Sequence, residues 1–214
     1  MIESFDMLKS EIATADKILI QKWLAEVAAR EIQRMRPYNN WNSHRIKIIG
    51  MAAYAIGDTS LQNYCKAALE TQIEKNLNSD GTGYDFIERD ALHYHVYTLE
   101  PLLKLAIIMK RAENIDYYTF ISKKGSSINK SVNFLVPYLT GEKTHAEFVN
   151  SKIKFDRTRA NNNEPNFITG ASFNPQHGIK VLSLASYFNP ELPKITTKIS
   201  VLPYWLNVLD VPSF

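Results

Sequence analysis

The stretch Glu88-Arg89-Asp90-Ala91-Leu92-His93-Tyr94-His95 brings a guanidinium, two imidazoles, a phenol and two carboxylates within eight residues, and Tyr97 adds a second phenol. Read as a helix with Arg89 at zero and about 100° per residue, His93, Tyr97, Asp90, Tyr94 and Thr98 fall on one half of the circumference. Glu100 and Lys104 fall there too. Ala91, Leu92, Val96, Leu99, Leu102, Leu103 and Ala106 occupy the other half as an apolar stripe, interrupted only by His95. A solvated helix face usually carries Lys and Glu, so one with Arg, His and two Tyr is chemically biased. Arg89 can bind a carboxylate, His93 can donate or accept a hydrogen bond, and Tyr94 or Tyr97 can move a proton. The competing reading is a helix whose aromatics pack beneath a neighbouring loop. For His95, on the apolar side, a hydrogen-bonded core histidine is the expectation rather than a ligand.

A second polar set stands at Tyr38-Asn39-Asn40-Trp41-Asn42-Ser43-His44-Arg45. A helix starting at Asn40 places Asn40, His44 and Lys47 on one face, so that an amide, an imidazole and an ammonium point together. Asn39 or Asn40 can equally serve as the N-cap of that helix. Trp41 either stacks on a sugar ring or fills the core, and spacing does not decide between them.

The elements that must position these groups are helical. Ile18, Trp23, Val27 and Ile32 recur at helical intervals between Lys17 and Met35, and Pro37 ends the run. A second helix is expected over Trp41–Ile56, closing at Gly57. Asp58, Thr59 or Ser60 caps a third that reaches Leu77. The turn formers from Asn78 to Gly83 precede one long helix reaching Arg111, kinked at Pro101. Further helices are expected over Asn129–Leu139, Thr144–Ala160 and Gln176–Phe188. Prolines 190, 193, 203 and 212 predict an irregular tail from about residue 189. Successive helix pairs without a fixed repeat suit antiparallel hairpins around a common centre, an all-α single domain over 1–214.

The 214 residues, 45% hydrophobic and 22% charged, suffice for one domain with a sizeable core. Disordered and fibrous classes are excluded. A net charge of +3 without a dense basic run gives no reason to expect nucleic acid, although a few cations lining one cleft would suit a polyanion. The lone Cys65 rules out an internal disulfide framework and a Cys-based zinc site, and is expected to be a buried apolar residue. No run approaches the length of a membrane span, and the N-terminus lacks the basic start and apolar run of a secretory leader.

Two motifs make the sequence resemble the alginate-lyase-like polysaccharide lyases. One is the Asn39-Asn40 pair followed by His44. The other is Arg89 ahead of His93-Tyr94-His95 and the continuation Leu99-Glu100-Pro101-Leu102-Leu103. Gly141 to Phe148 also looks like the family's later helices, so the similarity spans roughly Trp23 to Phe188. The resemblance implies an α/α toroid of paired helices, here an incomplete barrel lacking the family's first helices and leader, and a periplasmic or secreted setting. It implies an acidic polysaccharide as partner, with neither membrane nor nucleic acid, no cofactor and no metal. The oligomeric state stays open.

The implied reaction is β-elimination at a 4-linked uronate. Asn40 and Arg89, with His44 as a third contributor, would neutralise the substrate carboxylate, and Tyr94 would act as acid, and also as base where the proton and leaving group lie on the same side of the ring, with Arg89 and His93 supplying the positive charge that lowers its pKa. His44 is the alternative base. Asn39, Trp41, His93 and Tyr97 are the implied sugar contacts. The pattern departs from the best-known alginate lyases, because Trp41 stands where histidine directly follows the Asn pair and Arg89 lies only five residues before Tyr94. A relative acting on another uronan fits as well as alginate itself. Two rivals remain: a helical-barrel glycoside hydrolase drawing on Asp80, Asp85, Glu88 or Asp90, and a non-catalytic glycan binder.

Overall fold

The computed structural model describes residues 2–199, with side chains described to residue 195, and among these the fold is all-α. Its helices are α1 (Ile2–Leu8), α2 (Thr14–Gln33), α3 (Asn40–Ile56), α4 (Thr59–Asn76), α5 (Tyr84–Arg89), α6 (Leu92–Glu113), α7 (Ile128–Leu139), α8 (Lys154–Asn161), α9 (Ile179–Ser186) and α10 (Leu192–Ile199). A 3-10 turn, Pro175–Gly178, leads into α9. No described helix is long and apolar enough to cross a membrane.

Local chemistry explains the boundaries of the central pair. Asn39 is the N-cap of α3, its side chain accepting the Trp41 N–H at 3.1 Å. Gly57 closes α3 in the left-handed conformation (φ 74°), and Asp58 at once caps α4 by accepting the Leu61 N–H at 3.0 Å. So short a connection turns α4 back along α3. α3 and α6 form the most extensive helix pair, and Gly50 sets their approach. A Cβ at Gly50 would sit 2.3 Å from Leu105 Cδ1. Around this crossing one apolar cluster extends from Phe5 to Leu192, with Ile46, Ile49, Leu99, Leu102 and Met109 fully buried. Cys65 joins it, donating its thiol to the Ile46 carbonyl at 3.4 Å. In α2 the helix forms as its periodicity predicts, but Leu24 and Ala28 line its buried side while Ile18 and Trp23 stay exposed.

Three expectations from the sequence need correction. The long helix expected up to Arg111 is two helices, α5 and α6, broken at Asp90 (φ 49°) and Ala91, which is extended. α6 itself continues through Pro101. Residues 144–153 are not helical, because their polar groups serve this break. Phe148 N–H donates to the Asp90 carbonyl at 2.7 Å and Lys152 N–H to that of Glu88 at 2.9 Å. Asn150 donates its backbone and side-chain N–H groups to the Asp90 carboxylate. In return the Glu147 carboxylate accepts the Leu92 and His93 N–H groups at 2.8 and 3.1 Å, capping α6 where Ala91 has no side chain to do so. The stretch from Gly141 to Phe148, which looked like a later family helix, is therefore turn and loop. Thirdly, residues 192–199 of the expected irregular tail form α10, whose Pro193 lies in the first turn, where a missing N–H costs nothing. Pro203 and Pro212 lie outside the described residues.

Candidate active site

One wall of the site is the start of α3. Asn40 is buried, its side-chain Oδ1 has no partner, and its backbone N–H bonds the Asp85 carboxylate. Asp85 also accepts from Thr98 Oγ1 at 3.0 Å and Asn76 Nδ2 at 3.1 Å, so one buried carboxylate joins α3, α4 and α6. Burial pushes its pKa up, against the pull of these hydrogen bonds. One turn after Asn40, the His44 ring lies against Tyr97, with centroids 4.3 Å apart and the planes tilted by 36°. His44 Nε2 is buried without a partner. Burial, then the charge of Lys47, holds this imidazole below its ordinary pKa, so it is neutral at pH 7. Asn39 is half-buried, with its Oδ1 engaged in capping α3. Trp41 is 63% exposed at the rim, with the Arg36 guanidinium 5.9 Å from its ring centre, which removes the core-filling alternative.

The other wall is the junction of α5 and α6. Helical projection across residues 89–97 does not apply, since the chain breaks at Asp90. Arg89 nevertheless reaches Tyr94, its guanidinium 3.9 Å from the ring centre. It is also ion-paired with Asp156, a buried carboxylate at the start of α8 that accepts the Ser151 hydroxyl at 2.7 Å. Tyr94 is 8% exposed, packed with Ala91, Phe148 and Phe167. Burial raises its phenol above the ordinary 10, and Arg89 opposes this without overcoming it. The expectation that Arg89 and His93 would lower the Tyr94 pKa is thus corrected. Tyr94 is a protonated acid at neutral pH.

His93 turns toward the 3-10 turn, its ring 5.7 Å from His177 and 5.9 Å from Phe167. It lines a pocket of about 250 Å³ together with Glu147, Phe173, Asn174 and His177. Burial, then the neighbouring His177, lowers its pKa. Tyr97 is 46% exposed beside His44. His95 is a core residue as expected: fully buried, with Nε2 3.0 Å from the Ser131 carbonyl and its pKa pushed down to about 4 by burial.

His44 and Tyr97 therefore form one pair, with Asn40 one turn before His44, Arg89 and Tyr94 form another, and the first turns of α6 carry both Tyr94 and Tyr97. Asp156, Glu147, Arg159 and His177 belong to the site's surroundings and were not singled out from sequence. The partners of Asp156 and Glu147 lie 67 and 55 positions away, too far along the chain for any local pattern to show. The carboxylates considered for hydrolysis are occupied. Asp80 accepts from Thr82, Glu88 pairs with Lys152 at 2.9 Å, Asp85 is shared as described, and Asp90 is held by Asn150.

No protein of curated function matches the sequence. In structure the chain is similar to the crystal structure of an alginate lyase from Bacteroides ovatus, with a TM-score of 0.63 and 18% identity over 89% of this chain and 48% of that one. The chain thus spans about half the length of that protein, and likeness at this identity speaks for the fold. The sequence model of the family described as alginate lyase matches residues 1–145, well over half of the chain, which therefore belongs to the alginate lyase family.

Proposed function

We propose that this chain is a helical lyase domain that cleaves a 4-linked uronate polysaccharide by β-elimination, leaving an unsaturated uronate at the new end. The observation that carries the reading is the pairing of opposite protonation states. His44 is a neutral imidazole with a free Nε2, and Tyr94 is a protonated phenol under a guanidinium.

The C5 proton of a uronate is weakly acidic while its carboxylate is ionised, so that charge must be met first. The Asn40 side-chain amide, donating through its N–H groups, and Arg89 are assigned this role. A guanidinium has five N–H donors, so its pair with Asp156 leaves donors for a substrate carboxylate. His44 then takes the C5 proton at Nε2, the C5–H electrons form the C4=C5 bond, and the C4–O4 bond breaks. Tyr94 gives its proton to the departing O4, and Arg89 stabilises the phenolate that results. Trp41, Asn39, Tyr97 and His93 are the proposed sugar contacts. A polymer of this kind sets the work in the periplasm or outside the cell.

One observation favours a second reading, binding without cleavage: the Arg89 charge already has a buried counter-ion in Asp156. Incubation with alginate, polyglucuronate and glycosaminoglycan backbones, following ultraviolet absorbance, separates the two. Elimination raises absorbance; binding alone leaves it flat.

A further inference from the structure

The α6 positions 93, 97, 100 and 104 are spaced i, i+4, i+7, i+11 and form one stripe. Each meets a residue from a neighbouring element: His93 meets His177, Tyr97 meets His44, Glu100 meets Lys180, and Lys104 meets Glu3. The stripe thus runs between α3 on one side and α9 with its 3-10 turn on the other, ending at α1. Beyond Tyr97 its character changes from aromatic to charged. Lys180 reaches Glu100 at 2.7 Å, and Lys104 lies 3.9 Å from Glu100 and 3.4 Å from the well-exposed Glu3. Lys47, one turn after His44, comes close enough to feel Lys104, Glu100, Glu3 and Lys180, yet no carboxylate among the described residues lies within 4 Å of its ammonium. Three ammonium groups from three helices therefore share one half-buried carboxylate and one at the surface. This excess of like charge costs free energy that a bound anion would relieve.

We propose that Lys47, Lys104 and Lys180 form a second anion position, which holds the carboxylate of a uronate further along the chain than the one that reacts. This rests on the proposed polyuronate substrate. Tyr94 and Lys104 are ten residues apart, about 15 Å along the helix axis, so the position is reached by a polymer and not by a single sugar. The stripe then reads the polymer's repeated charge, with chemistry near the start of α6 and electrostatic retention in its middle.

The test uses Lys47→Gln, because Lys47 has no ion pair to lose, with Lys180→Gln as a second variant, Lys47→Arg as the charge-retaining control and Lys75→Gln as an exposed lysine elsewhere. Binding of polymannuronate, polyguluronate, polyglucuronate and neutral dextran is measured by calorimetry at low and high salt. For at least one polyuronate, Lys47→Gln and Lys180→Gln should weaken binding about fivefold to tenfold and flatten its salt dependence, while Lys47→Arg and Lys75→Gln stay near wild type. On a cleaved polymer, Lys180→Gln should raise KM with little change in kcat. Unchanged affinity in both glutamine variants overturns the anion position even if the protein is an active lyase. Conversely, weakened binding in a protein that cleaves no uronan keeps the anion position and removes the lyase reading.

Discussion

The Arg89 guanidinium lies over the Tyr94 ring, 3.9 Å from its centre, across the two-residue break that separates α5 from α6. One cation is thereby shared between a phenol and the buried Asp156, and each neighbour constrains what the other can do. Arg89 is held in place by a carboxylate from α8, Tyr94 is covered by Phe148 and Phe167, and the loop at 144–153 closes around both.

Removing the α8 partner should expose this dependence. Asp156→Ala leaves Arg89 without its counter-ion in a largely buried place, and loss of one member of such a pair costs about 3 to 5 kcal/mol. Urea unfolding should show a lower midpoint with an unchanged m-value. Arg89→Ala in the same background should recover part of the loss, because the uncompensated charge goes with it.

The Glu147 carboxylate caps α6 from 55 positions away, and its loss should be felt at the break first. Glu147→Ala is expected to cost about 1 to 2 kcal/mol. Amide hydrogen exchange at Leu92 and His93 should accelerate before that of Leu102 or Met109.

Much of the frame was legible in the sequence because its signals are local. Asn39 and Asp58 as caps, Gly57 as a stop and the apolar stripe of α6 all act within a few residues, and they place α3, α4 and the end of α6 to within a residue or two. The break at Asp90 was not legible, since the apolar period runs on from Phe86 to Ala106 without a breaker. It is made by Glu147, Phe148 and Asn150, whose roles exist only once the chain has folded. The same holds for the site. His44 and Tyr97, read from two separate polar sets, meet in the fold, and the Asp156 partner of Arg89, 67 positions on, had no local signature.

Acid should destabilise the protein through its buried imidazoles. His95 is pushed from its ordinary 6.5 to about 4, so the unfolded chain takes up a proton that the folded one refuses. Its contribution is fully present above pH 6.5 and is lost as pH falls toward 4, by about 3 kcal/mol over that window. His95→Asn, which does not titrate, should have a flatter stability profile than wild type between these limits.

The proposed division of roles also sets a pH profile for catalysis. With His44 as base held below 6.5 and Tyr94 as acid held above 10, kcat/KM should rise through an apparent pKa under 6.5 and stay level across the neutral and mildly alkaline range. His44→Ala should remove the acid limb and most of the rate.

The most direct test follows ultraviolet absorbance while wild type and Tyr94→Phe act on the panel of uronans, with polymer binding measured in parallel. Absorbance should rise with wild type on at least one uronan and stay flat with Tyr94→Phe, which still binds that polymer. A wild type that raises absorbance on none, or a phenylalanine variant as fast as wild type, would contradict Tyr94 as the acid of an elimination.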